Sequence, residues 1–148
     1  MSQPKKIALI TTKHSLSVER LFSSYYDIAD IDTIGEDIPD IIVFTGGEDI
    51  DPSLYGEEKL PVTRSNIKRD ELEKEFFEFY KDIPKVGICR GGQLLNVLSG
   101  GKMWQHIENH SRYHDVINLL PLKEFKEKEV VRVSSTHHQM MKCGPWVS

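Results

Sequence analysis

The run Lys85-Val86-Gly87-Ile88-Cys89-Arg90-Gly91-Gly92 constrains this chain more than any other segment. It places a Gly-x-Cys-x-Gly pattern between a short apolar stretch and a helix-like one. A strand that passes into a helix through so few residues must turn tightly, and the residue at the apex is pushed out of the common backbone regions. Side chains at Gly87 and Gly91 are expected to collide in such a turn, which explains glycine at both positions. The helix that follows directs its amino terminus at the Cys89 sulfur. Its dipole and free N–H groups favour the thiolate and can hold a developing oxyanion. Cys89 is therefore the candidate nucleophile, at the carboxyl end of a strand, where open α/β sheets bind their ligands.

The rest of the chain supplies the sheet that such a turn needs. Lys6 to Thr11, Asp40 to Thr45 and Lys85 to Ile88 are short runs rich in Ile, Val and Leu without clean alternation, as parallel strands covered on both faces should be. Helical patterns fall between them. Ser17 to Tyr26 reads as a short helix capped by Ser15 or Ser17. Arg69 to Lys81 reads as a longer one, with Leu72, Phe76, Phe79 and Tyr80 forming an apolar stripe. Gly92 to Leu98 carries Leu94, Leu95 and Leu98 on one face and stops at Gly100-Gly101. The chain is less regular from Met103 onward, with a further strand predicted over Val130 to Ser134. Alternating strands and helices over 148 residues predict one α/β domain, a three-layer sandwich around a mostly parallel, flavodoxin-like sheet.

Composition narrows the function classes. A net charge of -4 argues against a nucleic-acid surface. The two cysteines, Cys89 and Cys143, stand in unlike contexts and make no disulfide framework, which favours a reducing compartment. The apolar run after Met-Ser-Gln-Pro-Lys-Lys is too short for a signal peptide or a membrane span. A cytoplasmic location is the expectation, with no membrane partner.

Gly87-Ile-Cys-Arg-Gly-Gly-Gln-Leu-Leu-Asn-Val-Leu-Ser-Gly-Gly101 closely resembles the nucleophile motif of the gamma-glutamyl-gamma-aminobutyrate hydrolase family, a branch of the class I glutamine amidotransferases. Three more segments match that branch in order. Thr45-Gly-Gly-Glu-Asp-Ile-Asp-Pro-Ser-Leu-Tyr-Gly56 resembles its first glycine loop, Arg69-Asp70 the opening of the helix before the nucleophile strand, and Ser135-Thr-His-His-Gln139 its His-His-Gln motif. Gln105 and His114-Asp-Val116 fit the segment between. The resemblance covers about residues 40 to 143 and is specific because the segments occur together.

The resemblance implies roles for several residues. The amides of Gly47 and Arg90 would form the oxyanion hole. Gln93, one helical turn past Cys89, would contact the substrate amide or anchor the turn. His137 and His138 would line the substrate site rather than act as base, because the family's catalytic His belongs to a later His-Pro-Glu-like motif. Asp49-Ile-Asp-Pro52 lacks the glycine and distal Glu of a calcium loop. His106, His110 and His114 recur at intervals of four and could bind zinc from one helix face, but Asn109, Ser111 and Tyr113 weaken that helix. No metal and no cofactor is expected.

By the same resemblance the family fold continues past Ser148 with strands carrying the catalytic His and acid, so the chain is expected to be the nucleophile-bearing part of a longer enzyme. The implied activity is hydrolysis of gamma-glutamyl amides through a cysteine thioester, on a small-molecule substrate. Two alternatives stay open: a glutamine amidotransferase subunit that passes ammonia to a partner synthase, and a catalytically inactive binding or regulatory protein on the same fold. A homodimer is equally open.

Overall fold

The three apolar runs lie side by side. The computed structural model describes residues 6–12, 16–108, 110, 112–117 and 128–142. In it β1 (Ile7–Ile10) pairs in parallel with both β2 (Asp27–Asp30) and β3 (Ile41–Phe44), and β3 pairs in parallel with β4 (Lys85–Gly87). The order is β2-β1-β3-β4. Strand β2 is absent from the sequence prediction for a physical reason. Its four residues, Asp-Ile-Ala-Asp, carry no apolar run, and as an edge strand it leaves none of them fully buried.

The register assigns each central side chain to one face. Leu9 aligns with Ile42, and Ile10 with Val43. Leu9, Ile42 and Phe44 pack with Leu94 and Val97 of α3 (Arg90–Leu98), and Phe76 and Phe77 of α2 (Ile67–Phe79) border that cluster. On the opposite face Ile10 and Val43 pack with Val18 of α1 (Leu16–Phe22), with Phe22 and Ile88 alongside. Helices thus cover both faces of a parallel sheet, and the three-layer sandwich is the observed fold. No helix among the described residues is long and apolar enough to cross a membrane.

One expectation needs correction. The predicted stripe on α2 is split. Phe76 and Tyr80 border the core, whereas Leu72 and Phe79 are 41% and 79% exposed, and the fully buried residues of α2 are Asp70 and Glu73. The strand predicted over Val130 to Ser134 exists as β7 (Val130–Ser135), but it joins β6 (Arg112–Ile117) in a separate antiparallel pair. A second small pair joins β5 (Met103–Trp104) to β8 (Met140–Met141). Ser15, Asn109, Ser111 and Cys143 lie outside the described residues.

The helix start also moves. Helix α3 begins at Arg90, two residues before the predicted start, so Gly91 and Gly92 are both helical. This brings the first turn of α3 onto β3, and a Cβ at Gly91 would overlap the Phe44 carbonyl, while one at Gly87 would overlap the backbone of Gly91 and Gly92. At Gly92 the nearest atom, the Gly87 oxygen, is 3.4 Å from such a Cβ. Gly91→Ala should therefore cost about 1–3 kcal/mol or more in denaturant unfolding. Gly92→Ala should cost less than about 0.5 kcal/mol, because alanine's helix propensity offsets the tighter contact.

Candidate active site

Cys89 sits at the N-cap of α3 with φ 54° and ψ -115°, a conformation that non-glycine residues rarely adopt. Holding it there costs about 1–3 kcal/mol. Bonds on both sides keep it in place. Ile88 N–H donates to Phe44 O at 2.9 Å, Gly91 N–H to Ile88 O at 3.0 Å, and Gly92 N–H to Cys89 O at 3.0 Å. The residue is exposed and makes no side-chain capping bond, so the thiol faces outward at the helix amino terminus.

The loop after β3 meets this elbow. A Cβ on Gly46 would lie 3.7 Å from Cys89 Cβ, and one on Gly47 would lie 3.5 Å from Arg90 Cδ. Gly47 has φ 151°, open to glycine and strained for other residues. Among the described residues neither the Gly47 amide nor the Arg90 amide donates to another group. The structure thus brings the predicted nucleophile and both predicted oxyanion donors into one corner, at the carboxyl ends of β3 and β4.

Beneath that corner lies a charge network. The Arg90 guanidinium, 2% exposed, is shared between Asp70 Oδ1 and Glu73 Oε2. Asp70 and Glu73 are themselves 0% and 1% exposed. The other Glu73 oxygen, Oε1, accepts from Thr11 Oγ1 at 2.7 Å and from Arg69 Nη2 at 3.4 Å. Arg69 Nη2 also lies 2.9 Å from Thr12 Oγ1, 3.0 Å from Gly46 O and 3.2 Å from Thr45 Oγ1, and Arg69 Nη1 donates to Glu48 at 3.3 Å. Two cations and two carboxylates neutralise one another where none could be buried alone. Burial pushes the Asp70 carboxyl upward in pKa, against the pull of the Asp51 amide, which donates to Asp70 Oδ2 at 2.8 Å, and of Arg90.

The remaining predicted site residues form the flank. Gln93 is buried, and its Nε2 donates to Gln139 O at 2.9 Å, tying α3 to the His-His-Gln segment. His137 Nδ1 meets the same carbonyl at 2.8 Å. His138 Nε2 lies 3.0 Å from Asp49 Oδ2, and His138 Nδ1 lies 3.2 Å from His106 Nδ1. A carboxylate can only accept, so in neutral rings His138 Nε2–H donates to Asp49 and His106 Nδ1–H donates to His138. The acidic Asp49-Ile-Asp-Pro52 run is thereby structural: Asp49 also accepts from Arg64 N–H, and Asp51 caps a short 3-10 turn over Pro52–Tyr55. The idea of three histidines on one helix face fails, because His106 lies in coil and His114 on β6. His110 stacks near His114 and His137, with ring centroids 4.5 and 4.8 Å away. Among the described residues no group of three or more His, Cys, Asp or Glu is placed to hold a metal ion.

Sequence reasoning assigned no role to Glu73 or Gln139 and did not foresee the charge network that Arg69, Asp70 and Glu73 form with Arg90. The spacing of Arg69, Asp70 and Glu73, three and four residues apart on one helix, was the available signal. Asp70→Ala should lower stability by about 3–5 kcal/mol in chemical denaturation, because Arg90 loses a buried counter-charge. Glu78→Ala, which removes the exposed Lys74–Glu78 pair on the same helix, should cost less than about 0.5 kcal/mol.

Comparison with known proteins agrees with this geometry. A Schizosaccharomyces pombe protein named "Putative glutamine amidotransferase" is 33% identical over 121 residues, which is 70% of this chain and 48% of that protein. A glutamine-hydrolysing GMP synthase of Clostridium acetobutylicum is 34% identical over 73 residues, 49% of this chain and 11% of that protein. The chain spans about half or less of the length of the curated relatives it matches. The crystal structure of a "putative gmp synthase subunit a protein" from Thermoplasma acidophilum shares the fold, with a TM-score of 0.60 at 15% identity, over 95% of this chain and 68% of that one. The family described as Peptidase C26 matches residues 13–144, and with the cysteine elbow and its glycine loop in place the chain belongs to that family, within the class I glutamine amidotransferase superfamily.

Proposed function

We propose that the protein hydrolyses gamma-glutamyl amide bonds with Cys89 as nucleophile, as in the gamma-glutamyl-gamma-aminobutyrate hydrolase branch. The observation that carries this reading is the exposed Cys89 at a positive-φ elbow, flanked by two backbone amides that donate to nothing else among the described residues. Free amides held beside a nucleophile are what an acyl-transfer transition state requires.

The Cys89 sulfur would attack the side-chain carbonyl carbon of a gamma-glutamyl group. The carbonyl oxygen would take up negative charge between the Gly47 and Arg90 amides. Collapse would break the C–N bond, with a proton delivered to the departing ammonia or amine, and leave a gamma-glutamyl thioester. Water would then add to the thioester carbonyl, releasing glutamate and restoring the thiol. Every histidine hydrogen bond among the described residues runs to a group other than the Cys89 thiol. In this reading the acid/base is the histidine that the family resemblance places downstream of the His-His-Gln segment. His137 and His138 line the substrate side, braced by Gln139 and Asp49.

A second reading has one observation in its favour. Similarity to a glutamine-hydrolysing GMP synthase suits a glutaminase that passes ammonia to a synthase partner. The chemistry at Cys89 is the same, and the two readings differ in whether added synthase stimulates turnover.

A glutamine-analogue electrophile should label Cys89 in the folded full-length protein, located by peptide mass mapping. Cys89→Ala should lower gamma-glutamyl amide hydrolysis by at least about 10³-fold. An unlabelled Cys89, together with unchanged hydrolysis in the alanine variant, would sink the proposal.

A further inference from the structure

We infer that Glu73 is a positioning residue that aims both oxyanion amides at once, an inference that rests on the oxyanion roles of Gly47 and Arg90 proposed above. Its two carboxylate oxygens hold different arginines. Oε2 holds the Arg90 guanidinium, and Oε1 faces Arg69 Nη2 at 3.4 Å.

On the Arg69 side the device acts through a peptide plane. Arg69 Nη2 donates to Gly46 O at 3.0 Å. No described peptide bond is cis, so the Gly47 N–H points opposite to the Gly46 carbonyl, and fixing that oxygen fixes the direction of the amide. The Arg69 guanidinium fills the space where a Cβ on Gly47 would stand, so the loop has no room for a side chain there. Thr12 and Thr45 hydroxyls, 2.5 Å apart and both within reach of Arg69 Nη2, complete the clamp.

On the Arg90 side the device acts through one Cα. The side chain and the amide of Arg90 share that atom, and the side chain runs inward to Asp70 and Glu73 with 2% exposure. Pinning the guanidinium restrains rotation of the amide at the first position of α3. Asp70 touches only Arg90 of the two arginines, whereas Glu73 touches both. Among the described residues Glu73 is therefore the one carboxylate hydrogen-bonded to both arginines, and Thr11 Oγ1 at 2.7 Å steadies it from the end of β1.

The test compares Glu73→Gln with the unmodified full-length protein. An amide of the same shape keeps one acceptor and loses the other, so the bridge should break while packing stays. Turnover of a gamma-glutamyl anilide should fall ~10–100-fold in kcat with KM nearly unchanged, since oxyanion donors act mainly in the transition state. Alkylation of Cys89 by iodoacetamide, which needs no oxyanion donor, should stay within about twofold. The amide resonances of Gly47 and Arg90 should both lose order in ¹⁵N relaxation. If only the Arg90 amide responds, or if alkylation falls in step with turnover, Glu73 is a local or merely structural group and the inference is overturned. Should Glu73→Gln not fold, Arg69→Lys reads the same bridge from the other end: the Gly47 amide should loosen while Arg90 does not, and an unaffected Gly47 overturns the inference. If the unmodified protein cleaves no gamma-glutamyl amide yet both amides respond in Glu73→Gln, the bridge stands and the proposed activity fails.

Discussion

A guanidinium removed from water must be matched by charge and by hydrogen bonds, and Arg90 is removed almost completely. That requirement organises the centre of this molecule. It draws Asp70 and Glu73 of α2 inward, which turns the helix so that a polar edge, and not its most apolar stripe, is its deepest face. It also ties α2 to the start of α3, one residue from Cys89. Arg69 then closes the charge balance and reaches the loop after β3. Such a cluster is a weak source of stability, since apolar residues of similar volume could pack as well. What it does is join segments: Arg90 links α3 to Asp70 and Glu73 of α2, and Arg69 of α2 reaches Gly46 O in the loop after β3.

The strain at Cys89 is sustained by that surrounding order. A positive φ at a non-glycine residue persists only where neighbours over-determine it. Here the neighbours are the close seating of Gly91 on the Phe44 carbonyl, the packing of Leu94 and Val97 against the sheet, and the pinned Arg90 side chain. The His-His-Gln segment adds a second brace. Gln139 is wholly buried, takes the Ile50 amide on its Oε1 at 3.2 Å, and offers its own carbonyl to Gln93. Residues separated by 46 and 89 positions in sequence are thereby held against one another beside the elbow.

The histidines show how spacing can mislead. His106, His110 and His114 suggest a helix face, but His106 and His110 lie in coil and His114 on a strand, and His106 and His110 meet the His-His-Gln segment. His106 reaches His138 and through it Asp49, and His110 neighbours His137. The pairing of these side chains is a tertiary fact. Fourfold spacing only implies contact where the chain is helical.

The sequence by itself determined the central strands, the sandwich and the elbow. Those features follow from local rules: apolar runs too short for helices, a helical pattern between them, and glycines where a strand must turn at once into a helix. The polar edge strand β2 left no such trace; β7 did, but its antiparallel pairing with β6 apart from the main sheet did not, because its alternation looks like that of any half-buried strand. Only the tertiary structure decided which face of α2 is buried and that Glu73 stands between two arginines. Helical spacing records which residues are neighbours on one surface, but whether that surface meets apolar side chains or a buried cation depends on what the rest of the chain brings to it. For Cys89 the division is clear. The sequence placed it at a turn, and the fold placed beside it two amides that donate to nothing among the described residues, with a buried charge network underneath.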